Sequence, residues 1–445
     1  MFHKVIVANR GAVANRVLRA LRALDIRSVA VYSEADAGAP YLALADESYL
    51  LGPAPVRESY LDIEAILKVV QASGADALHP GYGFLSENAA FARRVEEAGC
   101  RFIGPSPRWI DAMGHKTRAR DLAQQHGLPV GRGSPLLKAD ANDLLVQADR
   151  VGFPLLVKPA GGGGGIGMIV AQRREEVADA VARARSMASR GFGNDEVYLE
   201  SYLQRPRHIE FQLLGDCHGD VRHLFERDCS VQRRHQKVIE EATAPALDRG
   251  IVDTLAQKLA DVFGKMGYDN LGTVEMLMGE DGTFHFLEMN TRLQVEHGVT
   301  EEVTGVDLVV AQIRAAAGQR LTDILPARIE VKGHAIQARV YAEDSRRFLP
   351  SPGKLKAFRP PQGSGIRVET GLVEGNDVTM YYDPLLAKVI AHAETRTLAI
   401  ERLREALRSF AVEGVKTNLT ALETVLGSEA FITGAVHTGL IAQLI

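Results

Sequence analysis

Within the first 110 residues, short apolar runs alternate with stretches of helical spacing, and that alternation leaves few folds open. Residues 4–8 are apolar apart from Lys4 and turn at Asn9-Arg10-Gly11, after which Val13, Val17, Leu18 and Leu21 recur at helical spacing. Ser28 to Tyr32 reads as a second strand, Tyr60 to Ala72 as a helix and Ala77-Leu78 as a short strand. Asn88 to Gly99 reads as a helix, and Arg101 to Gly104 closes the series. Strand and helix in alternation predict a parallel, doubly wound sheet. Such sheets bind ligands outside the carboxyl ends of their strands. His79-Pro80-Gly81-Tyr82-Gly83-Phe84 lies at one such end.

The rest of the chain is patterned differently. Met113 to His126 reads as a linking helix. Strand Leu155 to Lys158, the glycines Gly161, Gly162, Gly163, Gly164 and Gly165, and strand Met168 to Ala171 predict a hairpin with a mobile glycine tip. A helix from Glu175 to Arg190 and a strand from Val197 to Glu200 complete this small unit. Beyond it long strands dominate: His208 to Leu214, His223 to Asp228, Thr273 to Met278 and Thr283 to Asn290, with a later helix from Arg396 to Phe410. That pattern predicts an antiparallel α+β domain. A length of 445 residues allows about three domains. The expected division is 1–113, 114–203 and 204–445.

The hydrophobic share of 46% and charged share of 24% are those of a soluble globular protein. A formal charge of −4 leaves no excess of Lys and Arg to neutralise phosphates, so a general nucleic-acid binder is excluded. Cys100, Cys217 and Cys229 form no CxxC pair, and their odd number excludes a fully paired disulfide framework. Free thiols point to a reducing compartment. No apolar run is long enough to span a bilayer, and no leader is expected before the strand that starts at residue 4. A cytoplasmic protein with neither nucleic-acid nor membrane partners is expected.

The chemistry concentrates in Glu288-Met289-Asn290-Thr291-Arg292-Leu293-Gln294-Val295-Glu296-His297. Glu288, Asn290, Arg292, Gln294 and Glu296 fall at every second position, so an extended run would send all five to one face. Two of them suit a hard cation, one carries a fixed positive charge, and one can serve as a base. Glu275 lies on the preceding strand, and the turn Gly279 to Gly282 allows a hairpin that sets it opposite Glu288. Two carboxylates and an amide oxygen suit Mg²⁺, which binds together with substrate phosphates. Asp228 to Lys237 is a dense cationic segment at a strand end and a candidate anion site. Cys229 within it is expected to be a bystander. Five glycines can expose backbone N–H groups to an anion, yet no Gly-Lys-Ser/Thr follows, so this is not a P-loop.

At these residues the chain resembles the biotin carboxylase family of the ATP-grasp superfamily, over nearly its whole length. The landmarks are Val7 to Gly11, His79 to Asn88, Met113 to Lys116, Lys158 with Gly161 to Gly165, Glu226 to Lys237, Glu288 to His297 and Phe348 to Gly353. The resemblance implies an ATP-grasp fold: a doubly wound N-terminal domain, a glycine-tipped lid and a C-terminal antiparallel α+β domain. It implies ATP-dependent carboxylation of biotin with bicarbonate through carboxyphosphate, the first half-reaction of a biotin-dependent carboxylase such as acetyl-CoA carboxylase. Carried over, Lys116, Lys158 and the glycine tip hold the ATP phosphates. Glu200 and Leu203 face adenine, and His208, Gln232 and His235 line the nucleotide site. Glu275, Glu288 and Asn290 hold Mg²⁺ or Mn²⁺, two ions being expected. Lys237, Arg292, Gln294 and the Val295 backbone bind bicarbonate, Glu296 is the base, Arg339 stabilises the biotin enolate, and Tyr82 lies near biotin.

The implied partners are a biotin carboxyl carrier protein, a carboxyltransferase and a second copy of the chain, with Arg16 and Arg19 at positions resembling dimer contacts. Biotin is expected on a separate carrier or on a segment outside these residues, since the nearest match to a Met-Lys-Met biotinylation turn is Gly264-Lys265-Met266-Gly267. Four positions depart from the family pattern. Ala12 stands for Glu, Ile166 for Arg, Gly298 for Pro, and Glu302 for an apolar residue. Ile166 and parts of the small domain resemble the urea carboxylase branch, whereas His235 resembles the acyl-CoA carboxylase branch. Two other readings share part of these features: a different ATP-grasp ligase joining a carboxylate to an amine, and a catalytically silent regulatory subunit. Neither needs Lys237, Arg292, Glu296 and Arg339 together.

Overall fold

The computed structural model describes residues 1–138, 143–161 and 167–445. Strands β1 (Lys4–Val7), β2 (Arg27–Ser33), β3 (Glu47–Gly52), β4 (Ala77–His79) and β5 (Arg101–Phe102) form a parallel sheet in the order β3-β2-β1-β4-β5. Helices α1 (Gly11–Ala23), α2 (Ile63–Ser73) and α3 (Ala89–Glu97) connect its strands. The alternation thus yields the expected doubly wound sheet. The edge strand β3 is an addition to the sequence reading: it is only half-buried, so no continuous apolar run marks it.

The linking helix is two helices. α4 (Pro107–Gly114) stops at His115, whose backbone is extended, and α5 (Lys116–Gln125) starts anew. The break follows Gly114, and it sets Lys116 at a helix N-terminus, where its backbone N–H donates to the Ala160 carbonyl at 3.2 Å. In the small unit, α6 (Leu144–Val151) precedes β6 (Leu155–Pro159), β7 (Ile169–Ala171), α7 (Val177–Phe192) and β8 (Val197–Ser201). The strands pair antiparallel in the order β7-β6-β8. Gly162 to Gly165 and Ile166 lie outside the described residues, and with them most of the expected glycine tip.

The largest sheet is antiparallel. It comprises β9 (Arg207–Gly215), β10 (Val221–Arg233), β11 (Gln236–Ala242), β12 (Asn270–Met278), β13 (Phe284–Asn290), β14 (His334–Tyr341), β15 (Ile366–Glu369) and β16 (Leu385–Ala393). Among the described residues its order is β13-β12-β9-β10-β11-β14-β16-β15. Helices α8 (Arg249–Met266), α9 (His297–Thr304) and α10 (Leu308–Ala316) cover it, as does the helix Arg396–Ser409. No helix among the described residues is long and apolar enough to cross a membrane.

The N-terminal sheet meets this large domain beside the cavity described below. A Cβ on Gly371 would fall on the Gly11 backbone and 2.7 Å from the Ala12 nitrogen. The approach is backbone to backbone, so no side chain can move aside, and a small residue at 12 suits it. Gly371→Ala is expected to lower stability by about 1–3 kcal/mol through overpacking. Urea unfolding of the variant against wild type checks this.

Candidate active site

One cavity of about 660 Å³ lies between the N-terminal sheet, the three-stranded unit and one face of the large sheet. Lys116, Lys158, Glu200, Leu203, His208, Gln232 and His235 line one part of it. Lys237, Glu275, Glu288, Asn290, Arg292, Gln294, Val295, Glu296, Arg339 and Tyr82 line the rest. Every side chain singled out in the sequence for the site therefore faces one space, apart from the glycines at the tip. Of those, Gly161 is half-buried at the end of β6.

The β12–β13 hairpin sets Glu275 directly opposite Glu288. Asn290 donates from Nδ2 to Glu275 Oε1 at 2.7 Å. Two carboxylates face each other here; burial and Glu275 oppose the ionisation of Glu288, yet Lys116 holds it below the usual carboxylate value. That like-charge pair with an amide oxygen beside it is a donor set for a hard cation. Lys116 balances it in this structure, with Nζ 2.9 Å from Glu288, and His208 Nε2 lies 3.1 Å from Glu275. Burial alone would raise the Glu275 carboxyl, but Lys237 and then His208 hold it well below the usual carboxylate range.

The ten-residue run is not one strand. β13 ends at Asn290, and the chain bends and turns before α9 begins at His297. The polar side chains converge all the same, because they bond to one another. Arg292 donates to Gln294 Oε1 at 2.8 Å and to Asn290 Oδ1 at 3.1 Å. Gln294 donates to Glu275 at 3.3 Å. Glu87, from the loop before α3, fixes the other edge of Arg292 at 2.8 Å and also accepts from the Thr291 backbone N–H.

Lys237 is the hub. Its ammonium donates to Glu210 at 2.5 Å, Glu275 at 2.6 Å and Glu296 at 2.8 Å. Glu296 is fully buried, and its second oxygen accepts from Arg339 Nη2 at 3.0 Å. Burial opposes its ionisation, yet Lys237, Arg339 and Arg227 hold it well below the usual range. Lys237 reaches this point because Arg234 and His235, with φ of +48° and +67°, close a two-residue hairpin between β10 and β11. The supposed strand-end segment is thus a hairpin. The same turn places His235 in the cavity, with burial lowering the proton affinity of its imidazole. Lys158 pairs with Glu200 at 2.5 Å. Burial pushes the Cys229 thiol up, so it stays protonated and inert as a nucleophile.

Sequence reasoning missed Glu87, Glu210, Arg227, Glu240 and Lys388. Arg227 is fully buried and donates to Glu210 at 2.5 Å. Lys388 donates to the Val295 carbonyl at 2.8 Å, and burial lowers it to about 8. Two of these had a signal available: a charged residue inside a run that otherwise reads as buried strand, as with Glu210 in β9 and Lys388 in β16. Of the departures, Gly298 leaves no room for a ring, since a Cβ there would lie 2.5 Å from Ile390 Cδ1. Glu302 pairs with Arg367 at 3.3 Å. Arg16 is buried against Glu301 and Asp307, while Arg19, 47% exposed, pairs with Glu369.

Three family models match in order along the chain. They are the biotin carboxylase N-terminal domain over residues 1–110, the ATP-binding domain of the carbamoyl-phosphate synthase L chain over 115–324, and the biotin carboxylase C-terminal domain over 337–443. A biotin carboxylase of Halalkalibacterium halodurans is 48% identical over 443 residues, covering 100% of this chain and 98% of the relative. The biotin carboxylase domain dimer of Hydrogenobacter thermophilus 2-oxoglutarate carboxylase was solved with MgADP, ADP and bicarbonate. It superposes with a TM-score of 0.96 at 41% identity, covering 100% of this chain and 98% of that one. A biotin carboxylase of Campylobacter jejuni, solved in a β,γ-ATP complex, gives 0.96 at 40% identity, covering 100% and 99%.

Removing the ammonium at the hub takes one cation from three buried carboxylates, leaving Arg227 on Glu210 and Arg339 on Glu296. Lys237→Met is therefore expected to cost about 3–5 kcal/mol near pH 7.5, as for a broken buried ion pair. The sign with pH follows from the depressed carboxyls of Glu275 and Glu296. In wild type their contribution is present above the unfolded carboxylate range and is lost only as pH falls through the lower folded values. In the variant those carboxyls take up protons, so the deficit against wild type shrinks towards pH 5. Urea unfolding at the two pH values measures it.

Proposed function

The chain belongs to the biotin carboxylase family, and we propose that the cavity is divided into a nucleotide–metal part and a bicarbonate–biotin part, joined through Lys237. The protein carboxylates biotin at the expense of ATP, with bicarbonate as the carbon source. The observation that carries the division is Glu296. It is a fully buried carboxylate clamped by Lys237 on one oxygen and Arg339 on the other, in the cavity that Lys116 and Lys158 also line.

In this reading Lys116, Lys158, His208, Gln232, His235, Glu200 and Leu203 hold ATP with the glycine tip. Glu275, Glu288 and Asn290 would hold Mg²⁺ or Mn²⁺, which neutralises phosphate oxygens when bound. Lys237, Arg292, Gln294 and the Val295 backbone hold bicarbonate. At rest Glu296 is a weak base because two cations hold it. A bicarbonate anion seated on Lys237 and Arg292 competes with Glu296 for Lys237, and the proton affinity of Glu296 rises. Glu296 then takes the bicarbonate proton. An oxygen of the resulting dianion attacks the γ-phosphorus, the bond from that phosphorus to the β-phosphate oxygen breaks and ADP leaves, and the carboxyphosphate so formed splits to CO₂ and phosphate. Phosphate removes the N1 proton of biotin, Arg339 faces the oxyanion that develops, with Tyr82 alongside, and N1 then bonds to the carbon of CO₂, the charge passing to the new carboxylate.

Several further parts belong to the same proposal. The five-, three- and eight-stranded sheets support domain limits of 1–113, 114–203 and 204–445. Biotin arrives on a carrier protein and leaves to a carboxyltransferase, the protein works in the cytoplasm, and two copies pair as a homodimer. The exposed Arg19 and the dimeric relative support the pairing.

Purified protein with Mg²⁺ and ATP is expected to release phosphate in a bicarbonate-dependent way, with free biotin raising the rate. Hydrolysis indifferent to both additions overturns the reading. Glu296→Gln keeps the shape and removes the base. Turnover is expected to fall at least ~100-fold, the typical loss for a general base, with nucleotide affinity retained. Turnover within threefold of wild type in steady-state kinetics would remove Glu296 from that role.

A further inference from the structure

Arg339 is held at two places by two different buried carboxylates. Nη2 donates to Glu296 Oε2 at 3.0 Å, and Nε donates to Glu240 Oε1 at 2.5 Å. Glu240 sits on β11, where its Cα registers with Gln337 of β14, two residues before Arg339 on the same strand face. Gln337 donates to the second Glu240 oxygen at 3.0 Å, so both oxygens are engaged and the carboxylate is locked. Glu240 is fully buried. A fully buried carboxylate is costly unless paired, and its pair is the arginine that faces biotin.

We propose that Glu240 is the positioning residue for Arg339, anchoring Nε so that the guanidinium keeps its place when Glu296 changes charge. The inference rests on the assignment of Glu296 and Arg339 above and deepens it. When Glu296 takes the bicarbonate proton, its hold on Nη2 weakens, at the point in the cycle when Arg339 is needed at the biotin oxygen. A guanidinium with one partner would swing away or collapse onto Glu296. With Glu240 on Nε it has a second, unchanging anchor. Burial opposes the charge of Arg339, and Glu240, ahead of Tyr341 and Glu296, sustains it. Burial raises the Glu240 carboxyl while Arg339 opposes that rise. The other groups facing Glu296 are Lys237, Arg227, Cys229 and Glu210, and none of them donates to or accepts from Arg339 among the described residues.

Glu240→Gln preserves size and removes the anchoring charge. A displaced catalytic group loses rate steeply, about 100-fold for ~1 Å, so the biotin-stimulated rate is expected to fall at least ~10-fold. The KM for biotin is expected to rise, while KM for ATP and for bicarbonate stay within threefold. Glu240→Asp, which keeps the charge on a shorter arm, is expected to recover part of the loss. Wild type, Arg339→Gln, Glu240→Gln and Glu240→Asp are measured together, with thermal unfolding of each. Biotin stimulation persisting in Arg339→Gln would sink the underlying site assignment. Stimulation lost there but intact in Glu240→Gln would overturn the positioning role alone. A parallel loss of ATP, bicarbonate and biotin parameters with lowered stability would also overturn it, because it marks a purely structural carboxylate.

Discussion

Three carboxylates from three places in the chain meet on one ammonium, and the rest of the site depends on that balance. Glu210 comes from β9, Glu275 from β12 and Glu296 from the turn before α9, and Lys237 at the start of β11 holds all three. Arg227 on β10 holds Glu210 from the other side. Charges so deeply buried are tolerated only as a mutually satisfied set. The set ties Glu275, which we propose for the metal, to Glu296, the proposed base, through one cation. In that reading an anion arriving at Lys237 changes the proton affinity of Glu296 and the partners of Glu275 together, and the nucleotide and bicarbonate chemistry are coupled through the charge balance.

Much of the fold was legible where local pattern decides structure. Apolar runs alternating with helical spacing marked β1, α1, β2 and β4, because each of those elements buries one face or both. The edge strand β3 was not legible, since its residues are half-buried and read as neither strand nor helix. Pairing of β11 with β14 was not legible either: Ile239 lies opposite Ala338, about a hundred residues away, and nothing local signals it. Arg234 and His235 escaped recognition as a turn because a two-residue hairpin with positive φ at both positions favours Asn and Gly.

The site was legible by residue type but not by wiring. Alternation along Glu288 to Glu296 put five polar side chains on one face, and all five line the cavity, although strand geometry ends at Asn290. Beyond that point hydrogen bonds among Arg292, Gln294, Asn290 and Glu275 do what the pleat does before it. The supporting residues were hidden for the opposite reason. Glu240 lies beside Glu241 in a strand that also carries Lys237, and only the register with β14 shows that one of the two faces Arg339 while the other faces His334 and Arg396. A one-residue shift exchanges those faces, so the assignment is a property of the sheet and not of the segment.

That register explains why the chemistry is divided between two structural units in the way it is. Glu275, Glu288, Lys237 and Arg339 all stand on one eight-stranded sheet, whose strand order runs without a break from β13 to β15. The groups that would bind metal, seat bicarbonate on Lys237 and meet biotin are thus fixed to one another by main-chain hydrogen bonds, and Glu296, in the turn before α9, is tied to them by the side chains of Lys237 and Arg339. Lys158 and Glu200 stand on a separate three-stranded sheet. Motion of that smaller unit would open or close the nucleotide part of the cavity without disturbing the distances among the reacting groups. For an intermediate as water-sensitive as carboxyphosphate, reacting groups carried on one sheet would keep their alignment whatever the smaller unit does.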